Sequence, residues 1–258
     1  YMAYNPNNYD YPSIIEKIST FIFQKVNNSN SNGIILGLSG GIDSSVCLAL
    51  AAKSLPEHNI LGLIMPVDEI TPKQDTEDAI LLAKKYNIEY RIIKINNINS
   101  EYMKNLAYEK IAQGNLFARI RMNILYYHSN LMNRLVIGTG DKSEYFLGYF
   151  TKFGDGGADI CPIGDLYKTQ VRILGKLLNL PDAILMKKSG PKLWKDHDAE
   201  EEIGHTYEEI DKLLFQIEKS NNLTSTELIT ASNVKTDKIF QLIKKNKHKL
   251  SMPESCKI

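Results

Sequence analysis

Apolar positions along this chain fall into two alternating rhythms. Ile14, Ile15, Ile18, Phe21, Ile22 and Val26 recur at helical spacing and predict an amphipathic helix over about 11–27. A polar turn from Asn27 to Asn32 closes at Gly33, and Ile34-Ile35-Leu36 then reads as a strand over about 34–38. The next helical run ends at Pro56, which cannot continue a helix. Ile60 to Met65 is an unbroken apolar run of strand length, stopped by Pro66. Thr71-Pro72 opens a helix whose apolar face carries Ala79, Ile80, Leu82, Ala83 and Tyr86, and a third strand is expected at about Tyr90 to Ile95. Two helices are expected between Asn99 and Leu131, the second starting near Asn115, ahead of a fourth strand at Leu135-Val136-Ile137. Beyond it, helices are expected at about 168–178, 181–186, 207–214 and 226–245, with the polar stretch 188–204 as a long mobile segment.

Strand and helix alternating at this spacing predict an α/β fold: a parallel, doubly wound sheet of about five strands with extra C-terminal helices. Ligands in such sheets bind beyond the carboxyl ends of the strands. The loops after the first and fourth strands are therefore where chemistry is expected.

Composition narrows the setting. The 258 residues suit a single domain, and a net charge of +1 gives no overall pull toward nucleic acid or an anionic membrane. No apolar run approaches a membrane span. Cys47, Cys161 and Cys256 are far apart and odd in number, so neither a disulfide framework nor a zinc site is indicated and a cytoplasmic home is expected.

The loop after the first strand is Gly37-Leu38-Ser39-Gly40-Gly41-Ile42-Asp43-Ser44-Ser45. Its glycines let the backbone approach a ligand, its serines donate hydrogen bonds, and the helix that follows offers free N–H groups to phosphate. Asp43 is the odd member, because a carboxylate beside phosphates is repulsive unless a cation such as Mg²⁺ lies between them. Neither the Walker pattern nor the dinucleotide fingerprint is present. After the fourth strand, Thr139 can donate to a nucleotide, and Glu144 can share a Mg²⁺ with Asp43 or stand as a solvated helix residue, which spacing alone favours. Lys152, Asp155 and Asp159 stand in a glycine-rich loop suited to a polar, ribose-bearing substrate, or to local ion pairs. Lys168 opens a helix, where its charge opposes the dipole, an arrangement that a nearby phosphate would favour. Of Arg119 and Arg121, which point to different helix faces, one can reach a substrate phosphate and either can form a salt bridge. His128 and His205 read as structural; Trp194 either covers a site or packs.

Three stretches carry a family resemblance. The loop Gly37 to Ser44 resembles the phosphate loop of the ATP pyrophosphatase superfamily. Gly114-Asn115-Leu116-Phe117-Ala118-Arg119-Ile120-Arg121-Met122 and, above all, Phe150-Thr151-Lys152-Phe153-Gly154-Asp155-Gly156-Gly157-Ala158-Asp159 are similar to the ammonia-using, single-domain NAD synthetases. The resemblance runs from about Ile34 to Lys249. It implies amidation of deamido-NAD with ammonia through an adenylated intermediate, with release of AMP and pyrophosphate. It implies ATP contacts from Gly37, Leu38, Ser39, Gly40, Gly41, Ile42, Asp43, Ser44, Thr139 and Lys168, and from a hydroxyl at Ser189. Mg²⁺ would lie on Asp43 and Glu144, with Asp43, Lys168 and Glu144 as the catalytic set, and deamido-NAD on Arg119, Lys152, Asp155, Asp159, His248 and Lys249. A homodimer, with the helix from 115 to 131 contributing, and the absence of a glutaminase domain are also implied.

The departures fall in 187–204. Gly190 replaces the family's hydroxyl residue, Lys192 its Asp, and Ala199 a second Asp. Two other readings stay open on the residues: another AMP-forming ATP pyrophosphatase, such as one that modifies tRNA, and a nucleotide-binding protein without turnover.

Overall fold

The computed structural model describes residues 4–219, 237–251, 253, 255 and 256. Its sheet has four strands, all parallel: β1 (Ile34–Gly37), β2 (Ile60–Ile64), β3 (Glu89–Ile92) and β4 (Leu135–Ile137), in the order β3-β2-β1-β4. Ile160 forms a single parallel bridge with Ile137 at the outer side of β4, where a fifth strand would lie. Of the about five strands expected, four are regular, because the chain beyond Gly138 is spent on loops and only touches the edge at one residue. β3 is shorter than expected, although Ile93 N still donates to Ile64 O.

Side-chain alternation along β1 divides the core between two layers. Ile34 and Leu36 face α1 (Tyr11–Asn28), α2 (Ile42–Ser54), α3 (Lys73–Lys85) and α7 (Lys168–Leu177). Ile35, with Leu61 and Leu63 of β2, faces Phe117 and Ile120 of α5 (Lys110–Met132). α2 is buried from Ser44 to Ala51 and apolar from Val46 to Ala52, which is why it lacks the amphipathic pattern of α1. α4 (Asn96–Met103) precedes α5, whose start lies well before Asn115: the Glu109 carboxylate caps it by accepting from Ile111 N and Ala112 N.

Beyond the sheet, α6 (Lys142–Leu147), α7 and α8 (Asp182–Leu185) lead to α9 (Ala199–Ile203), α10 (Tyr207–Lys219) and α11 (Asp237–Asn246). Leu147, Tyr167, Ile203, Tyr207, Ile210 and Ile239 form a separate small core there. The helix expected over 226–245 is described from Asp237 onward, and its earlier part lies outside the described residues. Chain order reverses across the sheet between β1 and β4, so the loops after these two strands flank a topological switch point.

Candidate active site

At the end of β1 the chain turns through Leu38 to Gly41 into α2. Gly40 holds φ +73°, and a Cβ there would lie 2.1 Å from the carbonyl oxygen of Asp75 on α3. The loop thus runs directly against the neighbouring helix, and only glycine allows it. Gly41 is the N-cap of α2 and brings no side-chain cap, so first-turn amides of a buried helix face the cavity. Ser39 N donates to Ser44 Oγ (3.3 Å), and the two hydroxyls lie 3.1 Å apart.

Behind this loop stands a cluster of charge. The Lys168 ammonium is fully enclosed, 2.7 Å from Asp43, 2.8 Å from Asp141 and 3.1 Å from Glu144. Asp141 and Glu144 owe their places to one capping box at the start of α6: Glu144 N donates to Asp141 and Asp141 N donates to Glu144. Burial by itself lowers the Lys168 pKa, but Asp141, Asp43 and Glu144 outweigh it and raise the value well above that of an ordinary lysine. Burial, opposed by Lys168 but reinforced by Asp141 and Asp43, also pushes the Glu144 carboxyl well above its ordinary range. The surplus of carboxylates over cations contributes to both shifts: it holds the proton on Lys168 and adds to the effect of burial on Glu144. Asp141 Oδ2, buried, faces Lys168 but makes no aligned hydrogen bond. An edge of Asp43 and of Glu144 (23% exposed each) opens to the cavity. These two carboxylates therefore fit a divalent cation with oxygen ligands. Among the described residues no group of three His, Cys, Asp or Glu is arranged to hold a metal.

The cavity itself is about 250 Å³ and lies across the carboxyl ends of β1, β2 and β4. Gly37, Leu38, Ser39, Gly41, Ile42, Asp43, Ser44, Thr139, Glu144, Asp155 and Ser189 all line it. Lys168 does not: it stands behind Asp43 and Glu144 and acts on the cavity through them. Direct contact with a phosphate would require it to leave a carboxylate. Of the two arginines on α5, Arg121 lines the cavity, where its Nε donates to Met65 O, and burial lowers its pKa to about 10. Arg119 is exposed and donates to Lys152 O. Asp141 and Arg121 were both legible as charged residues, but nothing local distinguished Asp141 from a simple helix cap.

The expected mobile segment is instead well anchored. Lys187 pairs with Asp75 (2.7 Å) and Asp78 (2.5 Å) on α3 and donates to Gly40 O, and Lys192 also pairs with Asp75. The cationic substitution at 192 is thus matched by a buried carboxylate. Trp194 stacks on His197 with ring centroids 3.5 Å apart, under the Lys110 ammonium, and Leu193 packs on Gly114 of α5. Trp194 therefore fastens the segment to the cavity's rim. A Cβ at Gly190 would lie 2.4 Å from His197 O, so no side chain fits there. The neighbouring Ser189 Oγ is buried and has no hydrogen-bond partner among the described residues, a free hydroxyl at the cavity wall.

Lys152, Asp159, His248 and Lys249 gather outside the cavity, around the loop from Gly148 to Asp159, whereas Asp155 of the same loop lines it. Lys152 Nζ donates to His248 O, and Lys249 Nζ donates to Gly148 O and Phe150 O. Asp159 accepts from Val136 N (2.7 Å) and from the Tyr126 hydroxyl (3.1 Å), so it ties the loop to β4. Asp155 accepts from Thr151 N, and burial raises its pKa. His128 Nδ1 lies 2.9 Å from Ile124 O, a bond within its own helix, and His205 pairs with Glu209.

A parallel sheet with a phosphate loop at its switch point and acidic side chains beside it defines a nucleotide-binding α/β protein. The NAD synthase family profile matches residues 14–253. The chain is 50% identical over 214 residues to the NH(3)-dependent NAD(+) synthetase of Staphylothermus marinus (81% of this chain, 78% of that one). It is 42% identical over 250 residues to that of Archaeoglobus fulgidus (96% and 98%). It therefore belongs to the NAD synthase family. Among solved structures, NMN synthetase from Francisella tularensis superposes with TM-score 0.85 at 34% identity, over 97% of this chain and 100% of that one. NH3-dependent NAD synthetase from Campylobacter jejuni gives 0.78 at 37%, over 96% and 100%.

Proposed function

We propose that this chain is an ammonia-dependent NAD synthetase. It would amidate deamido-NAD with ammonia, using ATP. The carboxylate-rich cluster facing an open phosphate loop carries the reading, because a site with surplus negative charge accepts a triphosphate only together with a cation. Asp43 and Glu144 would hold Mg²⁺, which when bound would neutralise charge on the departing pyrophosphate. First-turn amides of α2 and the Ser39, Ser44 and Ser189 hydroxyls would seat the phosphates. A nicotinate carboxylate oxygen then bonds to the α-phosphorus as the bond to pyrophosphate breaks. Ammonia attacks the adenylated carbonyl carbon, and AMP leaves. The AMP ester turns a poor leaving group into a good one, so no covalent protein nucleophile is needed. Free Cys47 is buried, with its thiol pKa pushed up, and is unsuited to that role. Arg119, Lys152, Asp159, His248 and Lys249 would hold the dinucleotide beside the cavity.

Incubation with ATP, Mg²⁺, deamido-NAD and ammonium should yield NAD, AMP and pyrophosphate in equal amounts. ADP and orthophosphate as products would refute the reading. The close superposition on an NMN synthetase favours a second substrate, nicotinate mononucleotide, which lacks the adenylyl half. Comparing kcat/KM for the two acids decides between them, and the identities to NAD synthetases favour the dinucleotide.

The proposed assembly is a homodimer formed through α5. Tyr127 and Leu131 lie one turn apart on it and are 66% and 64% exposed, an apolar surface that water disfavours. Replacing Leu131 by Glu should shift the protein to monomer in light scattering while leaving its circular dichroism unchanged; a variant that stays dimeric would remove α5 from the interface. The proposed location is the cytoplasm; among the described residues no helix is long and apolar enough to cross a membrane.

A further inference from the structure

The charge cluster rests on two helix starts, and a third helix joins them. Asp141, Ser143 and Glu144 open α6; Lys168 and Thr169 open α7. Asp211, from the middle of α10, is completely buried between the two. Its Oδ1 accepts from Ser143 Oγ at 2.5 Å and its Oδ2 from Thr169 N at 2.8 Å. Ser143 Oγ in turn accepts from Lys168 N at 3.0 Å. Thr169 is held from the far side by the Tyr4 hydroxyl, 2.7 Å from Thr169 Oγ1. One carboxylate therefore bridges α6 and α7, beside Lys168 on one and two residues from Asp141 on the other.

We propose that Asp211 is the positioning residue of the active site: it sets the spacing and rotation of α6 and α7, and so the Lys168 contacts that aim Asp43 and Glu144 into the cavity. It touches neither the cavity nor any group placed there, so its effect on turnover passes through Lys168 and Glu144. The chemistry supports this use of a charge. A carboxylate at the start of a helix accepts amides that have no partner within the helix, and the helix dipole favours its charge. Burial raises the Asp211 pKa to about 6, so it is ionised at neutral pH despite being enclosed. The hydrogen bonds from Ser143 and Thr169 oppose that shift, since each favours the charged carboxylate. A buried aliphatic residue at the same place would hold α10 to the small core equally well, but could not orient two helix starts by hydrogen bonds.

The inference rests on the proposed reaction, and the test keeps the two apart. Asp211→Ala, Asp211→Asn and Leu214→Ala would be compared with the unaltered protein. Leu214 lies on the same helix and is completely buried in the small core, and its side chain offers no hydrogen bond to either helix start, so its variant reports the loss of apolar packing. At a temperature where all remain folded by circular dichroism, Asp211→Ala should lower kcat about 10–100-fold, the range seen when a supporting partner of a catalytic group is lost. Asp211→Asn keeps one acceptor oxygen for Thr169 N and should recover most of that loss. Leu214→Ala should keep its kcat although its melting temperature falls. Calorimetric titration of Mg·ATP reads the same site without turnover, and should show weakened binding for Asp211→Ala only. If Asp211→Ala and Leu214→Ala lose activity and Mg·ATP affinity in parallel with stability, Asp211 is structural and the inference fails. If the unaltered protein binds Mg·ATP but gives no NAD, the reaction has been misassigned, while the titration still decides the role of Asp211.

Discussion

Lys168→Met is expected to lower AMP formation about 10–100-fold, in the range for loss of a supporting partner, and to destabilise the fold. The ammonium is the cation shared by Asp43, Asp141 and Glu144, and Asp141 is itself completely buried. Removing it leaves carboxylates facing one another with no internal counter-charge. Breaking a buried charge pair from one side costs about 3–5 kcal/mol. The pH dependence has a definite sign. In the intact protein the raised Lys168 pKa stabilises the fold at all pH values below the ordinary lysine range, and the contribution is lost only as pH rises through the folded value. In the variant the orphaned carboxylates favour protons, so the folded state binds more of them than the unfolded state. The stability deficit should therefore be largest at neutral pH and shrink as pH falls toward ordinary carboxylate values. Scanning calorimetry from pH 8 down to pH 5 would show it; a deficit that stays constant across that range would mean that the carboxylates do not depend on Lys168.

The second large effect concerns the phosphate loop. Gly40→Ala places a side chain at φ +73°, with its Cβ 2.1 Å from the Asp75 carbonyl oxygen. The left-handed backbone costs about 1–2 kcal/mol for a residue with a Cβ. The clash adds to it, because its partner is helix backbone and cannot swing away. The loop must move off α3, and a displacement of this kind at a positioning element lowers turnover about 100-fold. Gly41→Ala is the contrasting case: a Cβ there meets only Ser39 Oγ, at 3.3 Å, and φ is −90°. It should retain much more stability than Gly40→Ala. Equal melting temperatures for the two variants would show that the close approach to α3 does not restrain the loop. In the Mg·ATP titration, Gly40→Ala should show the larger loss.

The sheet and its phosphate loop were legible because they rest on local rules. Ile34-Ile35-Leu36 followed by Gly-rich chain and an apolar helix is a pattern that short-range sterics and burial impose on their own. Asp43, Ser44, Thr139 and Glu144 could be named as candidates for the same reason: each lies in the loop after a strand or in the first turn of the helix that follows, and all four line the cavity. Departures came where a distant partner decided. The stretch 188–204 is polar and broken by glycine and proline, yet Lys192 within it pairs with Asp75, and Lys187 just before it pairs with Asp75 and Asp78, across more than a hundred residues. Helical spacing showed that Arg119 and Arg121 diverge, but only the packing of α5 on β1 and β2 turned Arg121 inward.

Hydrophobic periodicity and loop chemistry, both local in origin, determined from the sequence alone that this chain builds a parallel α/β sheet with a phosphate loop after its first strand. The balance of charge around that loop belongs to the tertiary structure. Lys168 stands 125 residues from Asp43 in the chain, and Asp211 a further 42 beyond Thr169. No spacing rule joins residues so far apart. They meet because α6, α7 and α10 pack over the carboxyl end of the sheet, and burial there makes each unpaired charge costly enough to fix its partner.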